Sequence, residues 1–320
     1  MDRLSNHFHD KAEGFRRPLQ IAFYGKGGTG KSTVASNVAA ALGAKGYRVL
    51  VVGCDPKHDC TSTLRGGRDI PTILDTLRKK GIEKRSLDEI IEGKSLDLTE
   101  VVFQGAFGTY VAEAGGPRPG HGCAGRGIIV AIEALKKLRV FEQLNLDVVI
   151  YDVLGDVVCG GFAMPLRMGL ADAAYIVTSA DFLSLYAANN VCRGIAEFAM
   201  RGGCLLGGFI YNVRSALIDV EDVVNEFSRA VGATIIEKIP YSPLIVEAEV
   251  EGKTVIEYSP ESDIAQKFHS LASKLISNKE RVVPTPLPWE KLVEMGRILQ
   301  ENVRRKFKEK VMVSSSNASP

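Results

Sequence analysis

Residues 25–32 have the types and spacing that bind a nucleoside triphosphate. The segment reads Gly-Lys-Gly-Gly-Thr-Gly-Lys-Ser and matches G-x-x-x-x-G-K-[ST] between an apolar strand and a helix. Glycines let backbone N–H groups close around phosphate oxygens, and the helix N-terminus adds a favourable field. Lys31 would reach the β- and γ-phosphates, and Ser32 would ligate Mg²⁺. The predicted nucleotide-binding residues of this loop are Gly25, Lys26, Gly27, Gly28, Thr29, Gly30, Lys31, Ser32 and Thr33.

Lys26 is a second lysine, near the start of the loop. A lysine at this place marks the deviant Walker A subgroup of P-loop proteins. In that subgroup the extra lysine resembles an arginine finger, which crosses a dimer interface to the phosphates of the other subunit. Lys26 therefore predicts a nucleotide-dependent homodimer, and an ordinary surface lysine is the alternative.

Four aspartates follow two of the predicted strands. Asp55 and Asp59 come after the second strand, Asp152 is the last residue of the strand LDVVIYD, and Asp156 comes four residues later. Open α/β sheets bind ligands at the carboxyl ends of their strands. Asp152 has the form of a Walker B carboxylate for Mg²⁺, and the other three are candidates to orient or deprotonate the attacking water. The alternative for each single aspartate is a helix cap or turn residue.

Cys123 and Cys159 are each surrounded by glycines, and each precedes a predicted helix. Glycine allows N–H groups to approach a sulfur closely, and a helix N-terminus favours an anion. These features suit thiolate ligation of an iron–sulfur cluster. A free cysteine is more often a small buried hydrophobe. We assign that role to the remaining cysteines, which are Cys54, Cys60, Cys192 and Cys204.

The number of such cysteines bears on the oligomeric state. A [4Fe–4S] cluster usually takes about four thiolates. Cys123 and Cys159 supply too few from one chain, whereas two chains supply enough. A cluster on a two-fold axis would meet this requirement, and Lys26 independently predicts a dimer.

The P-loop, the four aspartates and the two cysteines must be positioned by a common fold. Short apolar segments alternate with helix-like stretches from Leu19 onward, and strands that are apolar throughout favour a parallel sheet with helices on both faces. We predict an α/β single-domain P-loop NTPase with a mainly parallel sheet. The predicted strands are LQIAFYG, RVLVVG, YVAEA, LDVVIYD, AAYIVTS, GGFIYNV and ATIIEKI.

The chain divides into four predicted segments. Residues 1–18 form a flexible N-terminal extension, and 19–280 form the P-loop Fe–S ATPase domain. Residues 281–311 form a proline-rich connector and a C-terminal helix, and 312–320 form a disordered tail. The helix carries a basic end, which indicates either partner or membrane docking or, as we favour, a surface helix packed on its own domain.

The composition excludes several functional classes. The 320 residues carry a formal net charge of +2, which does not indicate nucleic-acid binding. No apolar run approaches the roughly 20 residues that span a bilayer. The N-terminus does not read as a signal peptide, so we expect a cytoplasmic protein with reduced thiols.

Five segments together resemble the nitrogenase iron-protein family: YGKGGTGKST, VVGCDPKHD, GGPRPGHGCAGRGI, YDVLGDVVCGGFAMP and LYAANNV. The family includes nitrogenase reductase and the reductase subunits of dark-operative protochlorophyllide reductase and chlorophyllide reductase. It also includes nitrogenase-like proteins of nickel-tetrapyrrole synthesis and methylthio-alkane reduction. The resemblance runs from about residue 19 to 290, and the segments around Cys123 and Cys159 are its most specific part.

The resemblance implies how the protein works. Cys123 and Cys159 of both subunits would hold one [4Fe–4S] cluster, and ATP with Mg²⁺ would drive electron transfer to a heteromeric catalytic component. Residues 55–59 match the first switch segment of the family and 152–159 match the second. Arg126 matches an arginine of the partner-docking surface. A ferredoxin or flavodoxin would supply the electrons.

Several positions depart from nitrogenase reductases. Arg118 and Met168 replace acidic residues near the cluster, so Arg118 is a second candidate docking residue. Tyr241–Val246 replaces a segment that usually lies near the nucleobase, which leaves Asn212 as the candidate for that contact. A changed charge pattern on a docking face alters partner choice more than chemistry. We therefore favour a nitrogenase-like reductase that serves an organosulfur or tetrapyrrole substrate over a nitrogenase reductase for N₂.

Two other functions compete with this one. A ParA/MinD-like positioning ATPase would explain Lys26 and the P-loop equally well but gives no reason for Cys123 and Cys159. An Fe–S assembly carrier of the same P-loop class typically uses a C-terminal C-x-x-C, which this sequence lacks.

Overall fold

The computed structural model describes residues 16–81, 96–116, 124–155, 163–167, 170–216 and 219–316. The predictions for Cys123, Cys159, Asp156, Arg118 and Met168 lie outside these residues, as does most of the predicted N-terminal extension.

Within the described ranges an eight-stranded sheet has the order β3-β4-β2-β5-β1-β6-β7-β8. Its neighbouring strands are parallel except for β3, which is antiparallel to β4. The P-loop strand β1 is therefore central, between β5 and β6. The strands are β1 (Leu19–Tyr24), β2 (Val49–Gly53), β3 (Phe103–Gln104), β4 (Tyr110–Glu113), β5 (Val148–Asp152), β6 (Ala173–Thr178), β7 (Leu205–Asn212) and β8 (Ile235–Ile239).

Helices cover both faces of this sheet. Residues of β1 alternate between two buried clusters, with Ile21 and Phe23 on one face and Ala22 and Tyr24 on the other. The first face packs against α1 (Lys31–Ala44), α7 (Pro243–Val250), α8 (Val255–Tyr258) and α9 (Asp263–Ser277). The second packs against α2 (Ile73–Lys79), α3 (Ala124–Lys137), α4 (Val140–Gln143), α5 (Phe182–Ala199), α6 (Glu221–Val231) and α10 (Trp289–Ser316).

The predicted α/β P-loop fold is confirmed. Each of the seven predicted strands is present. The central strands are buried at every residue except Leu19, because both faces of the sheet are covered. Strand β3 was not predicted. Its two residues form an antiparallel edge that is too short to leave a pattern in the sequence.

The C-terminal helix α10 packs on its own domain, as we favoured. Leu292, Met295 and Leu299 are buried against the second face, and the Trp289 ring lies 6.3 Å from that of Phe182. The helix ends at Ser316 rather than at 311, so the assignment of residues 312–316 to a tail needs correction. No helix in the described part of the chain is long and apolar enough to cross a membrane.

Asn189 explains part of the LYAANNV segment. It lies fully buried on α5, where its amide group donates to the Leu287 carbonyl at 2.9 Å and accepts from the Leu287 N–H at 2.7 Å. This pair of hydrogen bonds fixes the proline-rich connector on the domain just before α10 begins.

We expect Asn189→Ala to lower the free energy of unfolding by about 1–3 kcal/mol, because the buried Leu287 N–H would lose its partner, whereas the Leu287 carbonyl would keep the bond from Arg193 at 3.2 Å. Urea denaturation at one fixed protein concentration measures the effect. The neighbouring Asn190→Ala is the control, since Asn190 is only half-buried, and it should change stability by about 0.5 kcal/mol or less. Equal effects of the two substitutions would contradict a specific clamp at Leu287.

Candidate functional site

The P-loop lies between the end of β1 and the start of α1. Gly28 and Gly30 have φ values of 86° and 85°, which side-chain-bearing residues rarely adopt. A Cβ atom on Gly25 would lie 2.4 Å from the Val177 carbonyl oxygen, so close packing with β6 also requires glycine there. The loop thus has the tight backbone that phosphate binding requires.

Lys31 and Asp152 form a buried ion pair at the base of this loop. The Lys31 ammonium donates to Asp152 Oδ1, and their side chains are 6% and 0% exposed. Burial lowers the pKa of Lys31, but Asp152, acting together with Cys60 and Asp55, raises that pKa above its ordinary value. The structure therefore brings together the two residues that the sequence assigned to phosphate and to Mg²⁺.

The second oxygen of Asp152 suits a cation. Oδ2 is buried and has no hydrogen-bond partner among the described residues. Mg²⁺ prefers oxygen ligands and is usually held by one or two carboxylates together with substrate phosphates. Asp152 and the P-loop thus fit Mg²⁺ with a nucleotide, and Ser32 is half-buried at the first turn of α1.

Asp55 and Asp59 differ in their surroundings. Asp55 is half-buried just beyond β2, and its Oδ1 accepts from the Lys57 N–H at 2.9 Å. Its charge contributes to the raised pKa of Lys31, which burial opposes and Asp152 mainly causes. Asp59 is exposed, and its carbonyl group accepts from the Ser62 N–H at 3.1 Å. Asp55 therefore belongs to the charged centre, whereas the side chain of Asp59 faces solvent.

Asn212 lies against the P-loop, at the end of β7. Its side-chain amide donates to the Thr29 carbonyl at 2.7 Å, and only 5% of the residue is exposed. A Cβ atom on Gly30 would lie 2.3 Å from the Asn212 amide nitrogen, so the two residues are in close contact. Asn212 supports the loop backbone, and its contact with a nucleobase remains a prediction.

Lys26 and Thr33 each have a hydrogen-bond partner within the same chain. Lys26 is half-buried, and its ammonium lies 3.4 Å from the Gly27 carbonyl oxygen. The Thr33 hydroxyl donates to Glu249 of α7 at 2.7 Å. The role of Lys26 across a dimer and the contact of Thr33 with a nucleotide remain predictions.

The segment after Asp152 lies directly on the P-loop. The Gly155 N–H donates to the Gly25 carbonyl at 3.1 Å, and a Cβ atom on Gly155 would lie 2.4 Å from the Gly25 nitrogen. A larger residue at 155 would separate the two backbones. The start of the segment that leads to Asp156 and Cys159 is therefore in direct backbone contact with the P-loop.

Glu113 is a charged residue that the sequence analysis did not select. It ends β4, is fully buried, and accepts through Oε1 from the Thr61 N–H at 2.9 Å and from the Thr61 hydroxyl at 2.7 Å. Burial raises its pKa to about 7, although the bonds from Thr61 act in the opposite direction. The sequence feature that could have indicated this residue is a glutamate within the otherwise apolar predicted strand YVAEA.

The four cysteines outside the glycine-rich segments are buried and free. Burial raises the pKa of Cys204 to about 12 and that of Cys192 still further, so neither thiol ionises readily. Their interpretation as buried hydrophobes is confirmed. Within the described ranges no group of three or more His, Cys, Asp or Glu side chains could hold a metal ion.

Arg126 lies near the start of α3, three residues after Cys123 in the sequence, and its side chain is exposed. This position is open to a partner protein, and its docking role remains a prediction.

We expect Glu113 to make stability fall as pH rises. The carboxyl group titrates near 4.5 when unperturbed and at about 7 in the folded chain. Between these values the folded chain holds a proton that the unfolded chain lacks, so raising the pH favours unfolding. Glu113→Gln should remove this part of the pH dependence, as measured by urea denaturation from about pH 5 to about pH 8. An unchanged slope in that variant would refute the assignment, and the exposed Glu301→Gln is the control.

Comparison with solved structures places the fold among P-loop ATPases. The cell division ATPase MinD of Pyrococcus furiosus matches with a TM-score of 0.56 and 21% identity, over 81% of this chain and 99% of that chain. A ParA family ATPase of Chlorobium tepidum TLS matches with a TM-score of 0.58 and 20% identity, over 81% of this chain and 98% of that chain. At this identity the similarity shows the fold alone.

Sequence comparison is more specific. The nitrogenase iron protein 2 of Methanothermococcus thermolithotrophicus is 56% identical over 286 residues, which are 89% of this chain and 98% of that protein. The nitrogenase iron protein 2 of Paenibacillus durus is 50% identical over 275 residues, 86% of this chain and 89% of that protein. Residues 19–302 match the model of a family described as 4Fe-4S iron sulfur cluster binding proteins, NifH/frxC family. The chain therefore belongs to the NifH/frxC family of iron–sulfur proteins.

Proposed function

We propose that this chain is the ATP-dependent reductase component of a nitrogenase-type enzyme. Two copies would hold one [4Fe–4S] cluster and pass its electrons to a separate catalytic component. Membership of the family makes the chain an ATP-hydrolysing iron–sulfur oxidoreductase component with a [4Fe–4S] cluster, ATP and Mg²⁺ as cofactors. The observation that carries the proposal is the segment that begins at Asp152, contacts the P-loop through Gly155 and continues to Cys159.

The nucleotide site supplies the energy. Lys31 and the P-loop N–H groups would hold the phosphates, and Ser32 and Asp152 would hold the cation. Mg²⁺ neutralises charge that develops on the phosphates. With a phosphate present, the Lys31 ammonium would have two anionic partners, so nucleotide binding would compete for the ion pair with Asp152. Asp55, which lies in the same charged centre, is the described candidate for orienting water.

The cluster site requires the second subunit. Cys123 and Cys159 are the only cysteines of the sequence outside the four buried ones. Two copies of the chain supply the roughly four thiolates that a [4Fe–4S] cluster usually takes. A symmetric homodimer would also place Lys26 of each subunit near the phosphates of the other. The cluster and the nucleotide thus both favour the dimer.

The chain has an exposed basic position for a partner. Arg126 follows Cys123 closely in sequence and faces solvent, and Arg118 lies on the other side of the same cysteine. A docking surface beside the cluster shortens the path for electrons to the catalytic component. The electron donor would be a ferredoxin or flavodoxin, and we place the assembly in the cytoplasm.

The substrate of the catalytic component has two candidates. The relatives compared above are named nitrogenase iron proteins, which favours N₂. Tyr241, with 45% of its surface exposed, follows β8 in the segment that departs from nitrogenase reductases. Together with Arg118 and Met168, this departure favours a nitrogenase-like enzyme with an organosulfur or tetrapyrrole substrate. Copurification of the catalytic subunits with this chain would decide between the two candidates.

A positioning ATPase of the ParA/MinD type has the same fold but gives no role to Cys123 and Cys159. Such a protein would be colourless after anaerobic purification, whereas the proposed reductase would be brown.

We expect the anaerobically purified dimer to contain about four irons, because two chains together offer that number of ligand thiolates. Cys123→Ala and Cys159→Ala should each lose the cluster, as measured by iron analysis and by visible absorption. Cys192→Ala is the matched control, since Cys192 is buried inside α5, and it should keep the iron. A full cluster in either of the first two variants would remove the ligand assignment.

Substitution of the two P-loop lysines should affect different steps, nucleotide binding for Lys31 and ATP hydrolysis for Lys26. Lys31→Ala should lose nucleotide binding because the phosphates lose their buried cation. Lys26→Ala should bind ATP but hydrolyse it about 10³-fold more slowly, the lower end of the effect of an arginine finger. Nucleotide titration and phosphate release separate the two effects, with the exposed Lys279→Ala as control. Normal turnover by Lys26→Ala would exclude its action across the dimer.

A further inference from the structure

Glu113 joins two segments that are far apart in the sequence. Its Oε1 accepts two hydrogen bonds from Thr61, at 2.9 and 2.7 Å, and both residues are completely buried. Thr61 comes two residues after Asp59, which is the last residue of the first switch segment predicted from the sequence. Because residues 55–61 connect β2 to these contacts without interruption, we extend the switch segment to Thr61. The carboxyl group thus binds the end of the first switch segment to the last residue of β4.

The same switch segment is also tied to the nucleotide-binding helix. The Ser36 hydroxyl of α1 donates to the Cys60 carbonyl at 3.1 Å. Cys60 immediately precedes Thr61, so two adjacent residues contact α1 on one side and β4 on the other. A displacement of residues 55–61 would therefore shift the end of β4 through the hydrogen bonds between Thr61 and Glu113.

A second contact lies three residues further along the chain from Glu113. Gly116 packs so closely on Pro56 that a Cβ atom at 116 would lie 2.7 Å from the Pro56 Cβ atom. The Gly116 carbonyl accepts from Arg78 of α2 at 2.6 Å. Glu113 and Gly116 thus each contact the switch segment, and Gly116 also accepts a hydrogen bond from α2.

The exit from β4 leads to the first cluster cysteine. Cys123 is seven residues after Gly116 in the sequence. The exit from β5 leads in the same way from Asp152 to Cys159. Each cysteine that the proposed function assigns to the cluster therefore follows a strand end that touches the nucleotide site.

Packing alone does not explain a carboxyl group at this position. Glu113 Oε2 is buried without a partner among the described residues, and it lies 2.0 Å from where Gly53 would carry a Cβ atom. An apolar side chain would fill this space without the cost of burying an unpaired polar atom. The group that Glu113 does bind is Thr61, which is the end of the switch segment.

We propose that Glu113 is a positioning residue that couples the switch segment 55–61 to the chain segment carrying Cys123. The coupling rests on the proposed function, because it requires Cys123 to be a cluster ligand. It supplies a route from the nucleotide site to the cluster along β4, separate from the route that runs through Asp152, Gly155 and Cys159. Each cysteine of one subunit would then respond to a different switch segment.

The experiment uses the anaerobically purified holoprotein dimer. A ferrous-iron chelator is added with and without saturating MgATP, and the ratio of the two rates of iron removal reports the response of the cluster to nucleotide. Thr61→Val removes the hydroxyl donor at nearly constant volume. We expect the ratio to fall by about fivefold or more, the lower end of usual coupling between sites. Iron content and ATP affinity should stay at the level of the unchanged protein.

Two further variants sharpen the result. Glu113→Gln keeps the Oε1 acceptor for Thr61, so it should retain the response to MgATP. Thr109→Val is the matched control, because Thr109 is a fully buried threonine before the opposite end of β4 and donates to the Ala106 carbonyl at 2.8 Å. It should also retain the response.

The outcomes separate this inference from the proposed function. A wild-type ratio in Thr61→Val would overturn the coupling, as would an equal loss in Thr109→Val. Loss of iron from Thr61→Val before nucleotide is added would make the contact merely structural and also overturn it. Absence of a cluster or of any MgATP response in the unchanged protein would instead refute the proposed function.

Discussion

The buried pair of Lys31 and Asp152 is the interaction on which the rest of the site depends. Two charges that are 6% and 0% exposed stabilise a protein only when each satisfies the other, because desolvation costs several kcal/mol per ion. The pair joins the start of α1 to the end of β5, the strand beside β1. Asp152 Oδ2, which has no partner among the described residues, keeps a strong acceptor inside the site. Such an acceptor suits the predicted cation better than it serves stability.

Close backbone approach is the second constraint, and it makes the site sensitive to small shifts. Gly155 lies against Gly25, and Gly53 leaves room for the carboxyl group of Glu113. Contacts at these distances leave no slack, since protein interiors are close-packed and transmit strain. Under the proposed coupling, a change in the P-loop or in the switch segment would therefore move the ends of β4 and β5 instead of being absorbed locally.

The sequence predicted the features that repeat or that follow a local pattern. The strands were recognisable because burial on both faces makes them apolar throughout, and the P-loop because its chemistry fixes the spacing of consecutive residues. The Glu113–Thr61 and Asn189–Leu287 bonds join residues 52 and 98 positions apart. No local pattern encodes such partners. The end of α10 was placed too early because its last residues, SSS, have little helical preference, yet the helix continues to Ser316.

The order of the strands supports the proposal that both cysteines respond to one nucleotide. The sheet runs β4-β2-β5-β1, so β2 lies between the two strands whose exits lead to Cys123 and Cys159. The first switch segment leaves from the end of β2 and therefore lies between both exits, in contact with Glu113 on one side. On the other side, the Cys54 N–H at its start donates to the Asp152 carbonyl at 2.9 Å. Because the switch segment contacts the ends of both β4 and β5, one displacement of it could shift both strand ends. The topology of the sheet, rather than any one residue, would thus allow coordinated movement of the two proposed cluster ligands.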